Sequence, residues 1–155
     1  MKFLIIYYSD YKNNTEKIAR IFAEKTDGAL INMKDVNDIN IENYNLIGFG
    51  SGVYRESLSP KMFRMVEKMN LKGKNVFVFS TSGVGMKYYN NSLIRLLESK
   101  GAINKGSFAC KGSFIASEFT KKKIFNFIGR LSQRHPNERD FKAAERFIVG
   151  VLDSL

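Results

Sequence analysis

Lys2-Phe3-Leu4-Ile5-Ile6-Tyr7-Tyr8, followed at once by Ser9-Asp10-Tyr11-Lys12-Asn13-Asn14-Thr15-Glu16, is the stretch on which the fold turns. The apolar run has the length of a buried strand and falls far short of the ~20 residues that cross a bilayer. No small-residue cleavage site follows it, so it reads as a first strand and not a leader, and the protein is expected in the cytoplasm. The next residues crowd hydroxyls and amides into one turn. Thr15 to Lys25 then carry Ile18, Ala19, Ile21 and Phe22 on one helical face. A strand, a polar turn and an amphipathic helix make the first half of a strand–helix–strand unit.

The same alternation continues outward from there. Ala29 to Met33 read as a second strand and Leu46 to Phe49 as a third, closed by Gly-Ser-Gly. Ser59-Pro60 has the form of an N-cap and first turn, with Met62, Phe63, Val66 and Met69 at helical spacing behind it. Val76-Phe77-Val78-Phe79 is the continuous apolar run of a central parallel strand. Asn90 to Lys100 form a helix ended by Gly101, and Gly106 to Ala116 hold a fifth strand. Phe119 to Leu131 is a basic, aromatic helical stretch. Pro136-Asn137-Glu138 opens a last helix whose Phe141, Ala144, Phe147, Ile148 and Val151 face inward. Five strands separated by helices predict an α/β fold, a doubly wound five-stranded parallel sheet covered on both faces. With 155 residues and no long linker or repeat, residues 1–155 are expected to form a single domain.

Composition narrows the chemistry. The one cysteine, Cys110, excludes an internal disulfide and argues against a cysteine-based metal site. It reads as a buried strand residue. The one histidine, His135, reads as a residue at the start of the last helix and supports neither a zinc site nor a standard triad. No side chain is singled out as catalytic and no metal is expected, so any redox or group chemistry would fall to a cofactor. The net charge of +10 suits an anionic partner of some kind.

In an open α/β sheet, ligands bind beyond the carboxyl ends of the strands where strand order reverses. The turn after the first strand, Ser9 through Thr15, offers hydroxyls, amides and the positive end of a helix dipole, a combination suited to a phosphate but equally to an ordinary N-cap. After the third strand come Gly48-Phe49-Gly50-Ser51-Gly52-Val53-Tyr54-Arg55, where glycine lets backbone approach a ligand and Tyr54 can lie on a flat heterocycle. After the fourth come Ser80-Thr81-Ser82-Gly83-Val84-Gly85-Met86, whose N–H groups can meet the heterocycle's edge. Each alone is only a turn. Together, at three adjacent strand ends, they predict one ligand site.

At these three loops, and over nearly the whole chain, the sequence resembles the short flavodoxins. The resemblance implies the flavodoxin-like sheet order 2-1-3-4-5 and non-covalent flavin mononucleotide (FMN). It places the FMN phosphate in the loop Ser9 to Thr15, with Ser9, Tyr11, Asn13, Asn14 and Thr15 as contacts and Asn14-Thr15-Glu16 as the closest local match. Ser51, Gly52, Val53 and Tyr54 would flank the isoalloxazine, and Thr81, Ser82 and Gly83 would lie along its pyrimidine side. Asn13 stands where the family usually has glycine, a substitution asparagine's tolerance of left-handed dihedrals permits. There is no tryptophan, so stacking rests on Tyr54, with Tyr88 or Tyr89 as a second aromatic.

Charge is the largest departure from the family, whose electron carriers are typically acidic. A chain at +10 is expected to raise the low redox potential and to dock a redox partner through that partner's acidic face. The implied function is electron transfer. The alternative is an FMN-dependent oxidoreductase acting on a quinone or porphyrinogen, similar to the flavodoxin-like protoporphyrinogen oxidases in architecture and basic character. The basic segment 119–131 reads either as a surface helix whose apolar side covers the sheet edge or as a docking face for an acidic protein or, peripherally, an anionic membrane. Nucleic acid is not expected as a partner, because no recognised DNA or RNA motif is present. A flavin-free phosphate receiver is also disfavoured, since the third strand ends Gly48-Phe49-Gly50 with no acid.

Overall fold

Strand Phe3–Tyr8 (β1) alternates its side chains between two cores, and that alternation organises the chain. Leu4, Ile6 and Tyr8 enter one cluster, Ile5 and Tyr7 the other. A computed structural model describes residues 1–10, 13–112 and 135–155. The remaining elements are helix Asn14–Thr26 (α1), strands Ala29–Asn32 (β2), Leu46–Tyr54 (β3) and Ser57–Leu58 (β4), helix Pro60–Glu67 (α2), strand Asn75–Ser82 (β5), helix Asn91–Ser99 (α3), strand Ile103–Lys111 (β6) and helix Glu138–Asp153 (α4). The parallel order is β2-β1-β3-β5-β6, with β4 antiparallel to the end of β3. Allowing for the two-residue β4, this is the expected order 2-1-3-4-5 of a doubly wound sheet. Helices α2 and α3 cover the face bearing Leu4 and Ile6, and α1 and α4 cover the other.

Helix starts follow local chemistry. Ser59 accepts from the Lys61 N–H at 3.3 Å and Pro60 takes the first helical position. Asn137 and Asp140 form a reciprocal capping box on α4, and His135 Nδ1 lies 2.6 Å from the same Asp140 carboxylate. His135 thus stands at the helix start, as its sequence position suggested. Cys110 is buried in β6.

Two loop expectations are corrected. The third strand does not close at Phe49. It runs on to Tyr54, so Ser51, Gly52, Val53 and Tyr54 are strand residues, the last two paired with Leu58 and Ser57. The fourth strand likewise continues through Ser80, Thr81 and Ser82, the first two in register with Ser51 and Gly52 and the last with Lys111. The reason is packing. Gly48 pairs with Phe77 and Gly50 with Phe79, and a Cβ at either glycine would collide with the phenyl ring of its partner. These glycines are therefore seats for aromatic rings. A strand glycine costs about 0.5–1 kcal/mol, whereas burying a phenylalanine ring contributes roughly 1.5–3 kcal/mol, so the ring decides. The fifth strand runs from Ile103 to Lys111 and stops before Gly112; residues 113–116 of its expected extent, the stretch Phe119 to Leu131 and Tyr11 lie outside the described residues. Among the described residues, no helix is long and apolar enough to cross a membrane.

Candidate functional site at the carboxyl ends of β1, β3 and β5

The first turn of α1 begins at Asn13, whose φ of 53° and ψ of 32° put it in the left-handed region that asparagine tolerates. Asn13 makes no side-chain cap, unlike Ser59 and Asn137 at the starts of α2 and α4. The N–H groups of the first turn of α1 therefore receive nothing from the usual capping position, and the dipole's positive end faces the loop. Ser9, Asn14 and Thr15, all buried, surround that turn. Gly112 closes it from the far side, since a Cβ there would come within 2.9 Å of the Asn14 amide nitrogen.

Two hydrogen bonds tie the three regions together. The Thr15 and Thr81 hydroxyls are 2.9 Å apart and buried, joining the phosphate-loop candidate to β5. The Asp10 N–H donates to the Tyr54 hydroxyl at 3.2 Å, joining the same loop to the end of β3. Tyr54 is held further by Tyr8, edge-on at 6.2 Å. Burial, and next the negative charge of Asp10, push the Tyr54 phenol up to about 12. Asp10 is itself anchored: Lys34 Nζ donates to its carboxylate at 2.7 Å and holds it below the usual carboxylate range.

The remaining candidates divide by what their side chains already do. The Ser51 hydroxyl is fully buried, donating to the Gly52 carbonyl at 2.6 Å and accepting from the Ser59 N–H at 2.9 Å. It secures the β3–α2 junction. The Ser82 hydroxyl accepts from the Gly85 N–H at 2.7 Å and shapes the turn containing Gly83. Gly52 lies beside the Tyr54 hydroxyl, and Val53 packs on the core cluster that includes Leu4 and Ile6. Of the two further aromatics, Tyr89 packs against the core while Tyr88 is 68% exposed. Beside Tyr88 in sequence, Val84 and Met86 are also exposed, so the third turn presents an apolar rim. Sequence reasoning did not single out Val84, Met86, Lys34 or Tyr8, because their placement depends on neighbouring strands. Burial pushes the Cys110 thiol up, which removes it from thiolate chemistry.

The buried threonine pair, the first turn of α1 and the restrained tyrosine lie together at the carboxyl ends of β1, β3 and β5. That donor set fits an anionic tail joined to a flat ring system, the shape of a flavin nucleotide.

Comparison with known proteins agrees with this fold. A family model described as a flavodoxin domain matches residues 4–140. An uncharacterised protein of Methanocaldococcus jannaschii is 38% identical over 154 residues, which is 98% of this chain and 99% of that one. Among solved structures, oxidised flavodoxin 1 of Bacillus cereus has a TM-score of 0.67 at 19% identity, with 99% of each chain covered. A Lactobacillus acidophilus flavoprotein in complex with FMN has a TM-score of 0.57 at 22% identity, over 68% of this chain and 91% of that chain. At such identities the two structures speak for the fold.

Proposed function

The chain belongs to the flavodoxin family, and from that premise we propose that it holds FMN without a covalent bond and passes electrons between larger redox proteins. The observation that carries this reading is the convergence of three strand ends through the Thr15–Thr81 and Asp10–Tyr54 hydrogen bonds beside a helix start that Asn13 leaves uncapped. The first turn of α1, with Ser9, Asn14 and Thr15, would bind the phosphate. Tyr54 would lie against the ring, and the turn at Gly83 would meet its polar edge. Bound FMN supplies reversible one- and two-electron chemistry. The protein orients it, shields it from water and sets the surrounding charge. The α1 dipole favours the phosphate dianion, and the two threonine hydroxyls are neutral donors that can turn toward it without a buried charge.

A second reading is FMN-dependent oxidation or reduction of a quinone or porphyrinogen. It draws on the exposed rim of Val84, Met86 and Tyr88, which suits a flat apolar substrate. Anaerobic reduction of the FMN-loaded protein, followed by challenge with quinones and with acidic redox proteins, separates the two. Fast, salt-sensitive reoxidation by protein acceptors supports the carrier, and fast reoxidation by quinone alone supports the enzyme.

The cofactor reading is tested by Thr15→Asp, which sets a carboxylate against the phosphate. FMN affinity is expected to fall at least about tenfold, or ~1.4 kcal/mol, read by flavin fluorescence quenching. Unchanged affinity would move the phosphate site elsewhere.

A further inference from the structure

A groove of about 730 Å³ lies between α2 and the chain from Met33 to Glu42. Its apolar lining comes from Met33, Val36, Ile39, Ile41, Met65 and Met69, with Tyr8 among the lining residues. The charged lining is one-sided. Lys34, Lys61, Arg64, Lys68, Lys72 and Lys74 face it, against only Asp38 and Glu42. Two of these cations are held by hydrogen bonds of their ammonium groups: Lys34 to Asp10, and Lys74 to the Glu42 and Tyr44 carbonyls at 2.7 and 3.0 Å. The other four are exposed and form no ion pair among the described residues. Lys61, Arg64 and Lys68 recur at i, i+3 and i+7, so they form one stripe about 10 Å long on α2 and its C-cap. Like charges at this spacing repel and lower the stability of the helix. No ion pair among the described residues offsets that repulsion, whereas an anionic ligand would.

We propose that this groove docks an acidic, amphipathic segment of a partner protein. Its apolar side chains would rest on the methionine floor and its carboxylates would meet Lys61, Arg64, Lys68 and Lys72. Methionine adapts its shape to varied apolar groups and recurs at surfaces that accept helices and loops of other proteins. A nucleic-acid backbone would satisfy the cations and leave the apolar floor uncovered. A second copy of this chain carries +10 and is repelled. Residues 113–134 of the chain itself hold Lys121, Lys122, Lys123, Arg130 and Arg134 against Glu118 alone, the wrong sign for the groove. Tyr8 both lines the groove and meets Tyr54, so a partner seated there would lie next to the candidate cofactor site. That the partner exchanges electrons rests on the flavin reading; the docking does not.

The test uses a short fluorescein-labelled peptide alternating pairs of glutamate and leucine. Its anisotropy is followed with the protein as purified and again after loading with FMN. Arg64→Glu/Lys68→Glu/Lys72→Glu should weaken binding at least about tenfold, while Arg95→Glu/Lys142→Glu/Arg146→Glu, an equal change in net charge elsewhere, should weaken it less than about threefold. Lys61 is left intact because its ammonium lies 5.1 Å over the Tyr8 ring. Equal weakening by both variants would overturn the proposal. So would failure of the wild-type chain to bind, or displacement of the peptide by an equally charged single-stranded oligonucleotide at equal concentration. Amide shifts of the labelled wild-type protein require no variant to fold. Shifts confined to residues 33–42 and 61–74 support the groove, and shifts centred elsewhere refute it. Peptide binding without FMN uptake would strike the flavin reading alone, and FMN uptake without peptide binding would strike the groove alone.

Discussion

Gly50 illustrates how a single residue can look like a binding signal and serve packing instead. Its missing Cβ is the space that Phe79 fills, and Phe79 cannot retreat because Phe22 meets it edge-on at 4.9 Å. Gly50→Ala is therefore expected to cost about 1–3 kcal/mol, the range for overpacking a tight core. A shift in urea midpoint at constant slope would measure it, and an unchanged midpoint would contradict the packing described. Tyr54 yields a pH prediction. Its phenol is raised from 10.0 to about 12, chiefly by burial. A raised folded value means that the unfolded chain ionises first. The contribution is complete below pH 10.0 and is lost as pH rises toward about 12. Tyr54→Phe should flatten that part of the stability–pH curve, and curves of equal slope for the two proteins would show that Tyr54 is not protected.

At the scale of elements, the β3–β4 hairpin is the least comfortable part of the described backbone. Its turn residues Arg55 and Glu56 have φ of 50° and 65°, the pair of positive values a two-residue turn of type I′ requires, yet neither is glycine or asparagine. Each left-handed residue costs roughly 1–2 kcal/mol. The hairpin nonetheless forms because Val53 and Leu58 pair across it and Leu58 is fully buried. Glu56→Gly would relieve the strain and add unfolded-state entropy worth about 0.5–1 kcal/mol. A net stabilisation of up to about 1 kcal/mol is expected in thermal or urea unfolding, and a loss would mean that the turn is not of this type. The strain adjoins Tyr54, so FMN affinity measured on the same variant reports whether turn geometry positions the tyrosine.

For the whole molecule, net charge is the property with the longest reach. At +10, the average surroundings favour the anionic reduced form of a bound flavin, although salt screens charges more than about 8–10 Å away. The low potential is expected to be less negative than that of an acidic flavodoxin measured in the same buffer. The gap should narrow as salt is added. A redox titration giving an equally low potential at low salt would refute the expectation. Within that field the groove along α2 is a local concentration of charge, and its lysine and arginine spacing was present in the sequence. Its meaning was not, because only the folded chain places residues 33–42 opposite α2.

The order of strands and helices was legible from apolar runs and helical periodicity, since each element must bury a face and the period of that face is written locally. The candidate turns were legible for the same reason: hydroxyl, amide and glycine clusters break periodicity where they occur. Strand length past Phe49 and Phe79, the seating of phenyl rings on Gly48 and Gly50, and the Thr15–Thr81 and Asp10–Tyr54 bonds were decided by tertiary structure. These contacts join residues far apart in the chain. Cross-strand register, which selects the partners, is a property of the assembled sheet and of no single segment.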